Sequence, residues 1–413
     1  MSRLISLPLV LLFFSVAGAG DNWPEFRGPQ GDGVAESEKL PVQFNDPAQI
    51  RWKQAIHGRG WSSPVVWRDR IWVTTATEDG KRQSVLALDR HTGEILIDRV
   101  VFETEDPQEI EVSNSYASST PAIEEGRIYV HYGSLGTACL DTATGATIWE
   151  RRDLPCNHWR GAGSSPIIDQ KNLYVAFDGY DYQYAAALDK RTGATVWRRD
   201  RNIDYGTDNG DRKKAYSTAC LFTHQGERQL VMPSATETIC YAPETGDELW
   251  RVRHGGMNAA PRPLYKHGLV YITGGDRDRK LFALDPTKRG QMPDEAIVWG
   301  MSKGAPFRPS QIILGERMYV ISDKGIATCV NAKNGDTIWQ QRIGGNYRAS
   351  LLAAGGNLYC FDESGKITVF KASDQFELVA ESILPDGFQA SPAVAGDSLY
   401  LRTTQDLYCF ERE

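Results

Sequence analysis

The sequence predicts an all-β fold: an eight-bladed β-propeller of four-stranded antiparallel blades, its ring closed by an N-terminal strand pairing into the last blade. Three observations predict it. A short block recurs from about residue 60 to the C-terminus, and strand-like runs precede each copy. The last copy ends at Glu413 one strand short, and an unclaimed strand-like run stands at residues 50–56.

A chain of 413 residues exceeds what one ordinary core supports, so either two domains or a repeat architecture is expected. With 41% hydrophobic and 24% charged residues and no low-complexity tract, the composition is that of a folded protein. The clearest copies of the block are ACLDTATGATIW at 138–149, AALDKRTGATVW at 186–197, ICYAPETGDELW at 239–250 and TCVNAKNGDTIW at 328–339. Weaker copies start at Val85, at Phe282 with an insertion before Trp299, and at Thr368, and LYCFERE is a truncated last one. Upstream lie pairs such as SSPVVW and RIWVTT, SSPIID and LYVAF, ASPAVA and SLYLRT. Each repeat reads as a first strand ending after a Ser/Ala-Pro step, a second of alternating aromatic and β-branched residues, a third ending in Ala-Leu-Asp, a turn, and a fourth ending in Trp. Four strands in roughly 40 to 50 residues is a propeller-blade period. No window sustains a 3.6-residue apolar period, which excludes a helical solenoid.

Turn chemistry explains the fixed positions. Asp89, Asp141, Asp189 and Asp285 are placed to accept backbone N–H bonds, and Gly93, Gly145, Gly193, Gly246 and Gly335 to supply a positive φ. Trp52, Trp149, Trp197, Trp250, Trp299 and Trp339 are expected to pack the seams between blades. The third-strand positions Ala87, Cys139, Ala187, Cys240, Ala283, Cys329, Val369 and Cys409 align, so cysteine stands there for a small buried residue. The seven cysteines include no CxxC pair, which removes the spacing of a dithiol, zinc-ribbon or c-type haem motif; the pairing of Cys156 and Cys220 stays open.

Arg3, the apolar run Leu4 to Phe14 and the small residues ending at Ala19 have the order of a secretory signal, too short to span a bilayer. The expected division is a signal peptide at 1–19, an N-terminal extension at 20–49 in which Trp23 and Phe26 cap part of the propeller, and one propeller domain at 50–413. No cysteine follows the signal to carry a lipid, so an exported protein, periplasmic or extracellular and without a lipid anchor or transmembrane segment, is expected. A net charge of -7 argues against nucleic acid as a partner.

The recurring Ala-Leu-Asp, Thr-Gly and Trp resemble the PQQ-like repeat of quinoprotein dehydrogenases and of BamB-like outer-membrane assembly proteins, over residues 23–413. The opening WPEFRGPQGDGV resembles exported bacterial proteins built on that repeat. The resemblance implies the fold; function depends on the site. Enzymatic members hold PQQ with a disulfide of adjacent cysteines, a Ca²⁺ on Glu, Asn and Asp, and a catalytic Asp. This chain has no Cys-Cys dipeptide onto which the first element maps.

No cofactor, metal or catalytic residue is therefore predicted. The seven histidines lack metal-ligand spacing, Asp204 to Asp211 reads as a solvated insertion, and no GxSxG elbow occurs. The candidate binding site is the channel mouth, where the loops entering each blade's first strand converge. Aligning those loops selects Arg59, Trp61, Tyr116, Arg160, Tyr216, Asn258, Arg308, Tyr347, Arg348 and Gln389, a set rich in the residue types of interface hot spots and oxyanion recognition. The expected role is a non-catalytic, monomeric scaffold that binds an envelope protein or an extended peptide. The alternatives are a PQQ- and calcium-dependent alcohol or sugar dehydrogenase, and a propeller that binds a small ligand in its channel.

Overall fold

The structure, a computed structural model, describes residues 19–276 and 280–412; the predicted signal, apart from Ala19, lies outside them. Eight sheets form, each an antiparallel run of four strands. Blade 2 is representative: Ala122–Glu124, Arg127–His131, Thr137–Asp141 and Thr147–Arg151 follow one another from the inside of the ring outward. The short innermost strand starts just past the Ser/Thr-Pro step, as at Pro64 before Val65–Trp67. Middle strands are buried on both faces, as Arg82–Asp89 is from Gln83 to Leu88. Outer strands alternate, as Ile95–Glu103 does from Ile95 through Val101. Among the described residues the only helical segments are short 3-10 turns.

The ring closes as predicted. Ile50–Ala55 pairs antiparallel with Asp406–Glu411, Trp52 opposite Cys409, and becomes the outermost strand of blade 8. That pairing removes an open sheet edge and joins the two ends of the fold.

The aligned small residues stand directly across from the tryptophans: Cys139 opposite Trp149, Ala187 opposite Trp197, Ala283 opposite Trp299 and Cys329 opposite Trp339. All seven cysteines, Cys156 and Cys220 included, are buried free thiols. Each indole N–H then reaches the third-to-fourth-strand turn of the next blade. Trp52 donates to Arg90 O, Trp149 to Lys190 O, Trp197 to Pro243 O, Trp299 to Ala332 O and Trp339 to Ser373 O, at 2.8–3.0 Å. The turn itself is fixed by its aspartate; Asp189 Oδ1 accepts from the N–H groups of Arg191 and Thr192, each at 2.9 Å. Its glycine has two reasons to be glycine. Gly193 sits at φ +75°, and a Cβ there would lie 2.7 Å from the Trp149 ring.

Three blades depart from the rule: blade 1 sets Ile97 opposite Ala87, and blades 4 and 7 are completed by residues from elsewhere in the chain. Trp250 faces the blade 5 turn that carries the insertion, and it donates to Gln229 Oε1 at 2.9 Å. The Gln229 amide passes the bond on to Pro286 O at 3.4 Å. The insertion also adds Gly290–Gln291 as a parallel strand on the outside of blade 4. Blade 7 has Ala380 opposite Val369, where six blades have Trp. Phe44 of the extension fills the place. Its ring lies 6.5 Å from Tyr359, much as Trp149 lies 6.2 Å from Tyr129, and 5.1 Å edge-on to Phe410 of blade 8.

The rest of the extension crosses one end of the channel. Trp23 bridges to Val66 of blade 1, and Pro24 O accepts from Ile123 N of blade 2. Arg262 of blade 5 pairs with Glu25 at 2.8 Å and donates to Phe26 O at 2.7 Å. Arg27 donates to Gln311 O of blade 6, and Val34 bridges to Ala353 of blade 7.

Candidate functional site

The innermost strands are stitched to one another by hydroxyls at the residue before each Pro or its equivalent. Ser63 N donates to Thr120 Oγ1, Thr120 N to Ser165 Oγ and Ser165 N to Thr218 Oγ1. Past the next seam, Arg262 N donates to Ser310 Oγ, Ser310 N to Ser350 Oγ, Ser350 N to Ser391 Oγ and Ser391 N back to Ser63 Oγ, all seven bonds spanning 2.9–3.1 Å. Arg262 holds the blade 5 position, and there Ser217 Oγ closes the seam on Pro261 O at 2.7 Å. This girdle sets the channel's width and aims the loops that precede it.

Above the girdle opens a well of about 320 Å³. Phe26 lines it from the end that the extension crosses, so the channel has a floor and one open mouth. Of the ten predicted mouth residues, Trp61, Arg160, Tyr216, Asn258, Arg308, Arg348 and Gln389 line this well. Three do not. Arg59 is turned outward, its guanidinium stacked 5.0 Å from the Trp61 ring and donating to Val112 O. Tyr116 donates to Gln108 O at 2.7 Å, and Tyr347 is buried among the apolar side chains between blades 6 and 7. The blade 5 loop is offset by two residues from the sequence alignment. Arg262-Pro263 corresponds to Ser63-Pro64, so Ala260 stands where Trp61 stands in blade 1, and Asn258 reaches the well from two residues earlier.

Charge in the well is unevenly compensated. Arg160 is held in a bidentate pair with Asp211 at 2.6 and 3.1 Å, with Glu111 at 3.4 Å, and these bonds raise its pKa. Arg348 pairs with Glu363 and donates to Ser113 O at 3.0 Å. Arg308 is different. Its nearest carboxylate oxygen, on Asp323, is 4.0 Å away, and burial together with the neighbouring Arg348 cation lowers its pKa. Its side chain remains 39% exposed toward the mouth. Three arginines and two carboxylates, Glu111 and Asp276, line the cavity.

Sequence reasoning gave Phe26 a capping role but missed the acidic partners that quench two of the arginines, and the girdle. The recurring Ser-Pro and Thr-Pro steps were the available signal for the last of these. They read as strand punctuation because spacing alone does not reveal what a hydroxyl accepts.

Among the described residues no three His, Cys, Asp or Glu side chains converge for a metal, and Glu111 is already turned to Arg160. The buried histidines are equally committed. His158 Nε2 lies 3.1 Å from Ser134 N and His131 Nδ1 lies 2.8 Å from Thr137 Oγ1, while burial holds both pKa values low.

A family model described as outer membrane protein assembly factor BamB matches residues 39–180 and 181–413. The chain belongs to that family. Solved structures with the same fold include BamB from Moraxella catarrhalis, at 14% identity and a TM-score of 0.64, covering 88% of this chain and 97% of that one. A europium-containing methanol dehydrogenase matches at 11% identity and a TM-score of 0.72, covering 95% and 98%. A quinohemoprotein alcohol dehydrogenase from Comamonas testosteroni matches at 12% identity and 0.68, covering 95% and 81%. At these identities the likeness is one of fold, a PQQ-like propeller. Comparison with curated protein sequences gives no significant match. No helix among the described residues is long and apolar enough to cross a membrane.

Proposed function

We propose that this protein is an exported, non-catalytic binding propeller that engages an envelope protein or extended peptide by taking an acidic group of that partner into the mouth of its channel. The observation that carries the reading is Arg308, a half-exposed cation whose nearest carboxylate oxygen stands 4.0 Å off while Arg160 and Arg348 have closer ones. A desolvated guanidinium in want of a close counter-ion gains most from an incoming carboxylate, which it binds through paired N–H donors. Trp61 and Tyr216 beside it supply rigid apolar area of the kind that anchors interfaces. Family membership supports a partner-binding role.

The test places a photo-cross-linking residue at Gln389 on the rim of the well. The expected result is a cross-linked partner that is lost on Arg308→Glu and weakened by salt, since both act on a charge that steers association. A cross-link indifferent to both, or none, removes this reading. Dye reduction on an alcohol after loading with PQQ and Ca²⁺ would replace it with catalysis.

A further inference from the structure

The girdle of hydroxyls has an unspent half. Each oxygen accepts a backbone N–H from the neighbouring blade, yet among the described residues no protein group accepts its own O–H. Ser63, Thr120, Ser165, Thr218, Ser350 and Ser391 all line the well, and each is at least nine-tenths buried. A buried hydroxyl left without an acceptor is costly, and six in one ring are an unusual concentration of unmet donors. What the throat offers is thus a circle of O–H groups lining the well. The cavity wall also carries three arginines, of which Arg160 and Arg348 are paired with Asp211 and Glu363 while Arg308 stands 4.0 Å from Asp323. Phe26 lines the well from the end that the extension crosses.

We propose that the throat is a binding site for a small oxyanion-bearing molecule, a phosphate or carboxylate compound, held by the girdle O–H groups and separate from any partner docked at the mouth. Phosphate and carboxylate oxygens are acceptors throughout, so they satisfy donors that a cation or ammonium group would leave unmet. The volume, about 320 Å³, suits a small organic molecule, and the single mouth gives it one way in. Charge and donors act on different parts of such a ligand. Arg308, the least closely paired of the three arginines, attracts it to the mouth, and the hydroxyls hold it.

Titration calorimetry on the full chain, with inorganic phosphate in one arm, citrate in a second and choline in a third at matched ionic strength, tests this. Saturable binding of phosphate or citrate and none of choline is expected, the stronger arm identifying the chemistry. Ser350→Thr, which keeps the hydroxyl and its acceptor role, should bind as wild type, whereas Ser350→Ala should bind about tenfold more weakly. Thr218→Ser and Thr218→Val form a second such pair if Ser350→Ala does not fold. Absence of binding in both anion arms, equal binding of choline, or equal affinities within both variant pairs overturns the assignment. Because only purified chain and small ions are used, failure to find a protein partner leaves this result untouched.

Discussion

Gly193→Ala is the sharpest probe of the lock between blades. Two costs meet at this residue. At φ +75° any Cβ forces a left-handed conformation, worth roughly 1–2 kcal/mol. The same Cβ would stand 2.7 Å from Cε3 and 2.8 Å from Cδ2 of Trp149, a ring held by its bond to Lys190 O, and such overpacking typically adds about 1–3 kcal/mol. Gly126→Ala is the control, since Gly126 has the same φ of +75° with nothing within 4 Å of its added Cβ. The entropy that alanine removes from the unfolded chain is common to both and cancels. Urea unfolding followed by tryptophan fluorescence should therefore place Gly193→Ala about 1–3 kcal/mol below Gly126→Ala. Equal losses would refute the claim that the turn glycine serves the neighbouring indole as well as its own backbone.

Other expectations follow from the same packing. Trp52→Ala should cost roughly 3–5 kcal/mol and, by hydrogen exchange, release the amides of Asp406–Glu411 before those of the other blades. Phe44→Ala should destabilise by a similar order, about 3 kcal/mol, measured by thermal unfolding, whereas Phe44→Trp should largely retain stability because the place is one that an indole fills in other blades. His131 supplies a pH dependence. Burial lowers its pKa from 6.5 to about 4, so the unfolded chain binds the proton first; the stabilisation is fully present above pH 6.5 and is lost as pH falls toward 4, up to about 3 kcal/mol in all. His131→Gln should reduce the slope of unfolding free energy over that window, leaving the share of buried His158, and an unchanged profile would remove His131 as a cause.

The blades, the ring closure and the tryptophan seams were legible because each repeats: eight chances to see Asp, Gly and Trp at fixed intervals outweigh the copies that have drifted. Residues whose role is set by a partner far along the chain were not. Gln229 bridges Trp250 to Pro286, and nothing local marks it. Phe44 substitutes for a tryptophan missing more than three hundred residues later, so its meaning depends on Ala380. In the well, alignment found the arginines by position, but whether each is free or answered by Asp211, Glu363 or Asp323 depends on loops of unequal length. The offset at Arg262-Pro263 arose the same way: APRP contains two prolines, and only the inter-blade hydrogen bonds choose between them.

The pairing of Ile50–Ala55 with Asp406–Glu411 also orders events in time. A chain made from its N-terminal side presents Ile50–Ala55 long before its partner and must leave it unmated until Asp406–Glu411 has appeared. Loss of Asp406–Glu411 would then do more than shorten a strand, because it would leave Ile50–Ala55 without a partner and a sticky gap on the circumference. Closure of the ring is in this sense checked at its own seam.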